Sequence, residues 1–153
     1  MNRVLLDASR AGKRAQPHGL RLQRLARRFL KQLELDGTEL SLSLVRDPQI
    51  RALNAKWRGK DTATDVLSFP VGEAIGPGPR LLGDVIISIQ TARRAAPEFD
   101  STLELELARY LAHGLLHLLG HDHLKPAQAR KMRTLEDELL GHEGMLARSD
   151  EVG

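Results

Sequence analysis

Four of the chain's six histidines fall in one short segment, HGLLHLLGHDH. His113 and His117 are four residues apart, so on a helix both imidazoles project from one face, one turn apart. Gly120 tolerates the left-handed backbone of a tight turn, which would bring His123 back towards this pair. We predict that His113, His117 and His123 bind one metal ion. His121 is the weaker alternative for the third ligand, because a shorter return turn would be strained.

The spacing of these residues indicates a hydrolytic metal centre. Three neutral imidazoles leave one position of a tetrahedral zinc ion open, which is typical of catalytic rather than structural sites. The pattern H-x3-H-x5-H is also the ligand spacing of the metzincin proteases, HExxHxxGxxH. In those enzymes a glutamate general base follows the first histidine, whereas here the residue is Gly114. A glycine there would leave space beside the metal for a bulky substrate.

The composition limits the class of protein and the kind of metal. The chain has no cysteine, which excludes a disulfide scaffold and a thiolate-bound metal. Imidazole ligands suit Zn²⁺, with Ni²⁺ or another divalent transition metal as alternatives. With 153 residues, 41% of them hydrophobic, the chain fits one folded domain over residues 1–153. It has no apolar run of roughly 18 residues and no apolar signal region, so we expect a cytoplasmic protein without a membrane partner.

The positive charge is concentrated at the N-terminal end. Residues 1–33 contain nine Arg and Lys residues against one acidic residue, although the whole chain carries only +3. The helical spacing places Arg21, Arg24, Arg28 and Lys31 on one face. Such a stripe suggests a polyanionic partner. A solvated helix face explains the charge equally well.

The hydrophobic pattern predicts an α+β fold: a single domain in which about five helices pack on a mixed sheet of about four strands. The zincin-like metal site would lie on a central helix. The predicted strands are 2–9, 38–45, 65–70 and 81–89. The predicted helices are 20–36, 48–57, 90–98, 102–119 and 126–146. Loops are predicted at 11–19, 58–65 and 71–80.

Local signals predict where several helices begin or end. Gly37 is expected to cap the C-terminus of the first helix. Asp47 followed by Pro48 predicts an N-cap with proline at the first helical position. Ser101 and Glu104 form a capping-box pattern.

The chain resembles a known family in three blocks. HGLLHLLGHDH is similar to HGxLHLxGxDH, a signature of the YbeY family of bacterial rRNA-maturation endoribonucleases. LNAKWRGKDTATDVLSFP, residues 53–70, resembles the family's LNxxxRxxDxxTDVLSFP, and LLGDVIIS, residues 81–88, resembles its LGDIxIS. The blocks follow the family's order. Two departures are His121, where many members carry an aromatic residue, and Trp57, where tyrosine is frequent.

The resemblance implies a metal-dependent, single-strand-specific endoribonuclease. It would act in rRNA maturation, notably at the 3′ end of the small-subunit RNA, and in the disposal of defective ribosomes. The implied partners are single-stranded RNA, rRNA, the small ribosomal subunit and its assembly proteins, without a nucleotide cofactor. The implied site residues are the metal ligands His113, His117 and His123 and a catalytic Arg58.

These residues suggest a mechanism. Zn²⁺ on three imidazoles lowers the pKa of its bound water to roughly 7. The Arg58 guanidinium is a permanently charged fork suited to a phosphate, although an ion pair with Asp61 or Asp65 would also explain it. We expect Asp65 to brace the strand that it precedes.

Other roles stay open. Asp122, Asp84 and His121 are candidate general bases, and for Asp122 we prefer a role in orienting a ligand imidazole. We expect Trp57 to pack in the core, with stacking on a nucleobase as the alternative.

Two other functions fit parts of the pattern. A zincin-like metallopeptidase or other metallohydrolase is disfavoured by Gly114, which replaces the catalytic glutamate. A non-catalytic ribosome-assembly factor with a structural metal is disfavoured by the open position of a three-histidine site.

Overall fold

The computed structural model describes residues 1–71 and 77–146. These residues form four strands and five α-helices, with a 3-10 turn at Lys13–Ala15 before the first helix. The strands are β1 Arg3–Asp7, β2 Thr38–Val45, β3 Val66–Pro70 and β4 Arg80–Ser88. The helices are α1 Gln16–Gln32, α2 Asp47–Arg58, α3 Ile89–Glu98, α4 Leu103–Leu118 and α5 Pro126–His142.

The sheet is mixed, as the sequence predicts. Its strand order is β1-β2-β4-β3, in which β1, β2 and β4 are parallel and β3 pairs antiparallel with β4. The predicted α+β architecture, a four-stranded mixed sheet with five helices packed on it, is therefore confirmed for the described residues. Strand β3 lies at one edge of the sheet.

The helices cover the two faces of the sheet unequally. Alternation along β2 directs Leu40, Leu42 and Leu44 to one face, where they join the main core with residues of α1, α3, α4 and α5. Helix α2 lies on the opposite face and contributes Ile50 to a smaller core that also contains Ile86 of β4. The histidine-bearing helix α4 thus packs on the more heavily covered face.

The first helix differs from its prediction at both ends. It begins at Gln16 rather than Leu20, because Pro17 is tolerated in a first helical turn and does not mark a loop here. It ends at Gln32, and Gly37 adopts φ +64° directly before β2 instead of capping the helix.

Two predicted N-caps lie one residue from the real ones. Arg46 caps α2, and Asp47 instead accepts hydrogen bonds from the hydroxyls of Ser88 and Thr91, at 2.7 and 2.8 Å. Thr102 caps α4, accepting from the backbone N–H of Leu105 at 3.1 Å, so Ser101 is not the cap. At α4 the short polar residues Ser101 and Thr102 compete for one cap position, and the pattern alone does not separate them.

The remaining boundaries need smaller corrections. Strand β4 begins at Arg80, inside the predicted loop 71–80, of which residues 72–76 lie outside the described residues. Helix α5 ends at His142, before the predicted end at residue 146. Trp57 is 61% exposed, so its prediction as a core residue is wrong. The helices of the described ranges include none long and apolar enough to cross a membrane.

Candidate metal centre

Gly114 fixes how closely α4 approaches the sheet. A Cβ at this position would lie 2.8 Å from Cγ1 of Val85 and 3.2 Å from Oγ of Ser68. The Ser68 hydroxyl donates a hydrogen bond to the Gly114 carbonyl at 3.3 Å, which ties the helix to β3. The glycine therefore faces a filled interior, and the expectation that it leaves space for a substrate is wrong. Its small size lets the helix that carries His113 and His117 rest on the sheet.

The chain turns back immediately after α4, as predicted. Gly120 adopts φ +98°, and its N–H donates to the carbonyl of His117 at 3.0 Å. The N–H of His121 donates to the carbonyl of Leu116, also at 3.0 Å. These two bonds define a Schellman turn, for which glycine is the favoured residue. The turn places His123 next to the last turns of the helix.

The three predicted ligand rings lie close together. The ring centres of His113 and His123 are 5.2 Å apart, and those of His117 and His123 are 6.4 Å apart. Three imidazole nitrogens bound to one tetrahedral zinc ion place ring centres about 5 Å apart. The first distance fits this geometry, and the second requires a side-chain rotation to close. Within residues 1–71 and 77–146, no group of three or more His, Cys, Asp or Glu side chains is placed so that it could hold a metal ion.

The side chain of His113 contacts a carboxylate on the neighbouring helix, α5. Its Nδ1 lies 3.0 Å from Oε2 of Glu136 on α5, and Oε1 of the same carboxylate lies 3.3 Å from Nη1 of Arg109. A carboxylate accepts hydrogen bonds, so this contact favours the tautomer of His113 with its proton on Nδ1. Glu136 is not among the site residues that the sequence predicts. The sequence does carry one signal for it. Glu136 is an acidic residue at a position of α5 whose helical spacing matches that of the buried residues Leu139 and Leu140.

His117 lies in an electropositive, partly buried position. Burial lowers the pKa of His117, and the positive charge of Arg58 lowers it further. The ring is therefore neutral at physiological pH, as a metal ligand must be. Its Nδ1 is buried and has no hydrogen-bond partner among the described residues. Buried polar atoms are nearly always satisfied, so this orphaned nitrogen fits a residue whose ring binds a metal ion.

Arg58 lies near the rings but makes no predicted ion pair. Its Nη2 donates to the carbonyl of Ser68 at 2.8 Å, and its guanidinium lies 5.4 Å from the ring centre of Phe69. Asp61 instead pairs with Arg51 at 2.8 Å. Asp65 accepts from the N–H of Val66 at 2.7 Å and so braces β3, as expected. The arrangement leaves Arg58 with a permanent positive charge beside His117.

Asp122 does not take the role expected of it. Its carboxylate accepts from the backbone N–H of His123 at 2.7 Å, which stabilises the turn. Its negative charge still acts to raise the pKa of His117, against the larger effects of burial and Arg58. The carboxylate that contacts a predicted ligand ring is Glu136.

An open cavity of about 490 Å³ adjoins two of the three predicted ligands, His113 and His123. Helix α4 contributes Arg109, Tyr110 and His113 to its wall, the turn contributes His123, and β3 begins at its edge. Burial raises the pKa of the Tyr110 phenol, aided by the nearby carboxylates, so this side chain is a neutral hydroxyl group. The cavity is large enough for part of an extended polymer. The remaining wall is formed by α5, through Ala129, Arg130, Met132, Arg133 and Glu136.

The basic stripe of α1 is partly neutralised. Arg21 pairs with Glu104 at 2.7 Å and Arg28 with Glu143 at 2.9 Å. Arg24 and Lys31 have no ion-pair partner in the described part of the chain. The stripe is therefore weaker than the sequence suggests, although the exposed ion pairs contribute little to stability and can exchange partners.

Comparisons with known proteins identify the family of the chain. The family model described as Endoribonuclease YbeY matches residues 11–144. Proteins named Endoribonuclease YbeY from Myxococcus xanthus and Anaeromyxobacter sp. are 63% and 55% identical to the chain over 83% and 82% of its length. The chain spans only 44% and 65% of those relatives, respectively. The relative of the same name from Aquifex aeolicus is 43% identical, over 91% of this chain and 90% of its own length.

A solved structure supports the same assignment. The solution structure of the Thermotoga maritima protein TM1509 matches with a TM-score of 0.52 and 27% identity, over 93% of this chain and 91% of that one. Fold and site together define a small α+β protein with a histidine cluster at the end of a central helix. The chain belongs to the YbeY endoribonuclease family.

Proposed function

We propose that this protein is a metal-dependent endoribonuclease that cleaves single-stranded RNA. The observation that carries the proposal is the grouping of His113, His117 and His123 around the end of α4, with the charge of Arg58 beside them. Membership of the YbeY family supports RNA as the substrate. One divalent transition-metal ion, Zn²⁺ first, is the proposed cofactor of these three ligands.

Two residues of the chain would have distinct roles in RNA cleavage. A bound Zn²⁺ ion supplies Lewis-acid and water-activating chemistry. Arg58 is anchored by the Ser68 carbonyl, which leaves the rest of its guanidinium free to bind a phosphate and the charge that develops on it. Burial and the same positive charge lower the pKa of His117, which favours the neutral ring that a metal ligand requires.

Trp57 is a candidate for recognising unpaired bases. The indole is exposed, lies one residue before Arg58, and contacts the ring of Phe69 edge-on at 6.4 Å. Stacking on an aromatic ring is tolerant of base identity but requires a base that is not paired. We propose that this residue contributes to the preference for single strands.

The biological role that we propose follows from the family resemblance. The enzyme would act in the cytoplasm on rRNA, in maturation of the small-subunit 3′ end and in ribosome quality control. Its partners would be the small ribosomal subunit and assembly proteins. The unpaired Arg24 and Lys31 on α1 would add sequence-independent attraction to the RNA backbone, which weakens as salt rises.

Three substrates incubated in parallel test the activity. An end-labelled single-stranded RNA, the same RNA annealed to its complement, and casein are each mixed with wild-type protein and with His117→Ala protein purified identically. The proposal requires internal cleavage of the single strand by wild type alone, with the duplex and casein intact. Casein digestion would favour a peptidase. RNA binding without cleavage would favour a non-catalytic assembly factor.

A further inference from the structure

The buried carboxylate of Glu136 has two partners, the imidazole of His113 and the guanidinium of Arg109. Only 7% of its side chain is exposed. One oxygen lies 3.0 Å from Nδ1 of His113, and the other lies 3.3 Å from Nη1 of Arg109. Burial of a carboxylate is costly unless it is paired and hydrogen-bonded. The two contacts therefore define a carboxylate whose position is fixed between α4 and α5.

The contact with His113 determines which ring nitrogen is available. Because the carboxylate accepts a hydrogen bond, it selects the tautomer with the proton on Nδ1 and the lone pair on Nε2. It also restricts rotation of the ring. A carboxylate or carbonyl in this position is typical of histidines that bind a metal ion through the other nitrogen.

We propose that Glu136 is a positioning residue for the metal centre, holding His113 with Nε2 directed towards His123 and the adjoining cavity. Helix α5 thereby becomes part of the site, although it contributes none of the three predicted ligands. This inference rests on the proposed metal site, but it concerns metal affinity and ring orientation rather than RNA cleavage.

A purely structural role is the competing explanation. Glu136 and Arg109 connect α5 to α4, and this connection alone would stabilise the fold. Asp137 provides a comparison at a more exposed position, because its carboxylate also accepts from Nη1 of Arg109, at 3.1 Å, and pairs with Arg133. The two acidic residues share one arginine partner, but it is Glu136 that contacts the ring of His113.

The test compares Glu136→Gln with Asp137→Asn in the full-length chain. Zinc affinity is measured by competition with a chromophoric chelator, and the free energy of unfolding is measured on the same samples. We expect Glu136→Gln to weaken zinc binding about 10- to 100-fold, and Asp137→Asn to leave it unchanged. Equal zinc affinities in all three proteins, or an equal loss in both variants, would overturn the inference.

A second measurement is made on the wild-type protein, and a variant is needed only for assignment. Nitrogen-15 NMR of the wild-type imidazoles, assigned with a His113→Gln protein, reports which nitrogen carries the proton. The inference requires a protonated Nδ1 on His113, both in the protein as isolated and after removal of metal with a chelator. A neutral ring that carries its proton on Nε2 instead of Nδ1 would overturn it. This result is independent of RNA cleavage, so a failure of the proposed endoribonuclease activity would be recognised separately.

Discussion

Substitution of Gly114 by alanine gives a test in which two physical effects have opposite signs. In an exposed helix interior, alanine stabilises relative to glycine by about 1 kcal/mol. Here the new methyl group would lie 2.8 Å from Cγ1 and 3.1 Å from Cγ2 of Val85, which is fully buried. Both distances are well below the separation of about 3.5–4.0 Å that carbon atoms prefer. Rotation of the β-branched valine cannot remove both methyl groups from the contact.

The structure predicts that the steric effect is larger. Overpacking of a well-packed core typically costs about 1–3 kcal/mol, and two close methyl contacts place this site in the upper part of that range. After subtraction of the gain in helix propensity, we expect Gly114→Ala to lower the free energy of unfolding by about 1–2 kcal/mol. For a protein of this size, that corresponds to a fall in Tm of roughly 2–8 °C.

Urea and thermal unfolding followed by circular dichroism would measure the effect, with a double-mutant cycle as the control. Val85→Ala removes the methyl groups that the new Cβ meets, so the double variant should be more stable than the two single effects predict, by about 1 kcal/mol or more. An alanine variant that is as stable as wild type, or more stable, would refute the packing argument. Loss of RNA cleavage at unchanged stability would instead indicate that the glycine provides room for substrate.

Three further predictions concern the site and the fold. Arg58→Lys should reduce RNA cleavage at least about 10-fold with unchanged zinc content, because an ammonium group does not reproduce the planar fork; full activity would remove Arg58 from the mechanism. Trp57→Ala should weaken binding of single-stranded RNA by about 1–3 kcal/mol in a filter-binding assay, with Trp57→Phe retaining most affinity, and equal binding by all three proteins would show that the indole does not stack. Burial acts to raise the pKa of Asp47, but hydrogen bonds from Arg94, Ser88 and Thr91 outweigh it, so the pKa lies below its ordinary value of 3.8. Asp47→Asn should therefore lower the free energy of unfolding by about 1–3 kcal/mol at neutral pH, and in acid titrations the difference should disappear as the pH falls through the lowered pKa; a difference independent of pH would contradict this.

The parts of the fold that the sequence predicts are those set by local periodicity. Leu40, Leu42 and Leu44 alternate because one face of β2 is buried, and that pattern is visible in the sequence. The turn after α4 was predictable because Gly120 occupies the left-handed position that a Schellman turn requires. Trp57 was placed wrongly because its spacing suits a buried helix face, whereas the side chain is 61% exposed in the last turn of α2.

The residues that contact the predicted site residues were harder to predict from the sequence. Glu136 contacts His113 across 23 residues of sequence, and only the packing of α5 on α4 brings them together. Likewise, Asp61 is a natural partner for Arg58 by proximity in sequence, but the helix directs Arg51 to it instead. Contacts between elements depend on tertiary packing, for which a single sequence has no periodic signal.

Restoration of activity by metal tests the central claim most directly. Wild-type protein is stripped with a chelator, titrated with Zn²⁺, and assayed on single-stranded RNA at each addition, beside His117→Ala protein treated in the same way. The account predicts no cleavage by the stripped protein, full recovery at one zinc ion per chain, and no recovery in the variant. Cleavage that persists in rigorously stripped wild type, or that returns equally in the variant, would contradict a metal centre built from these histidines.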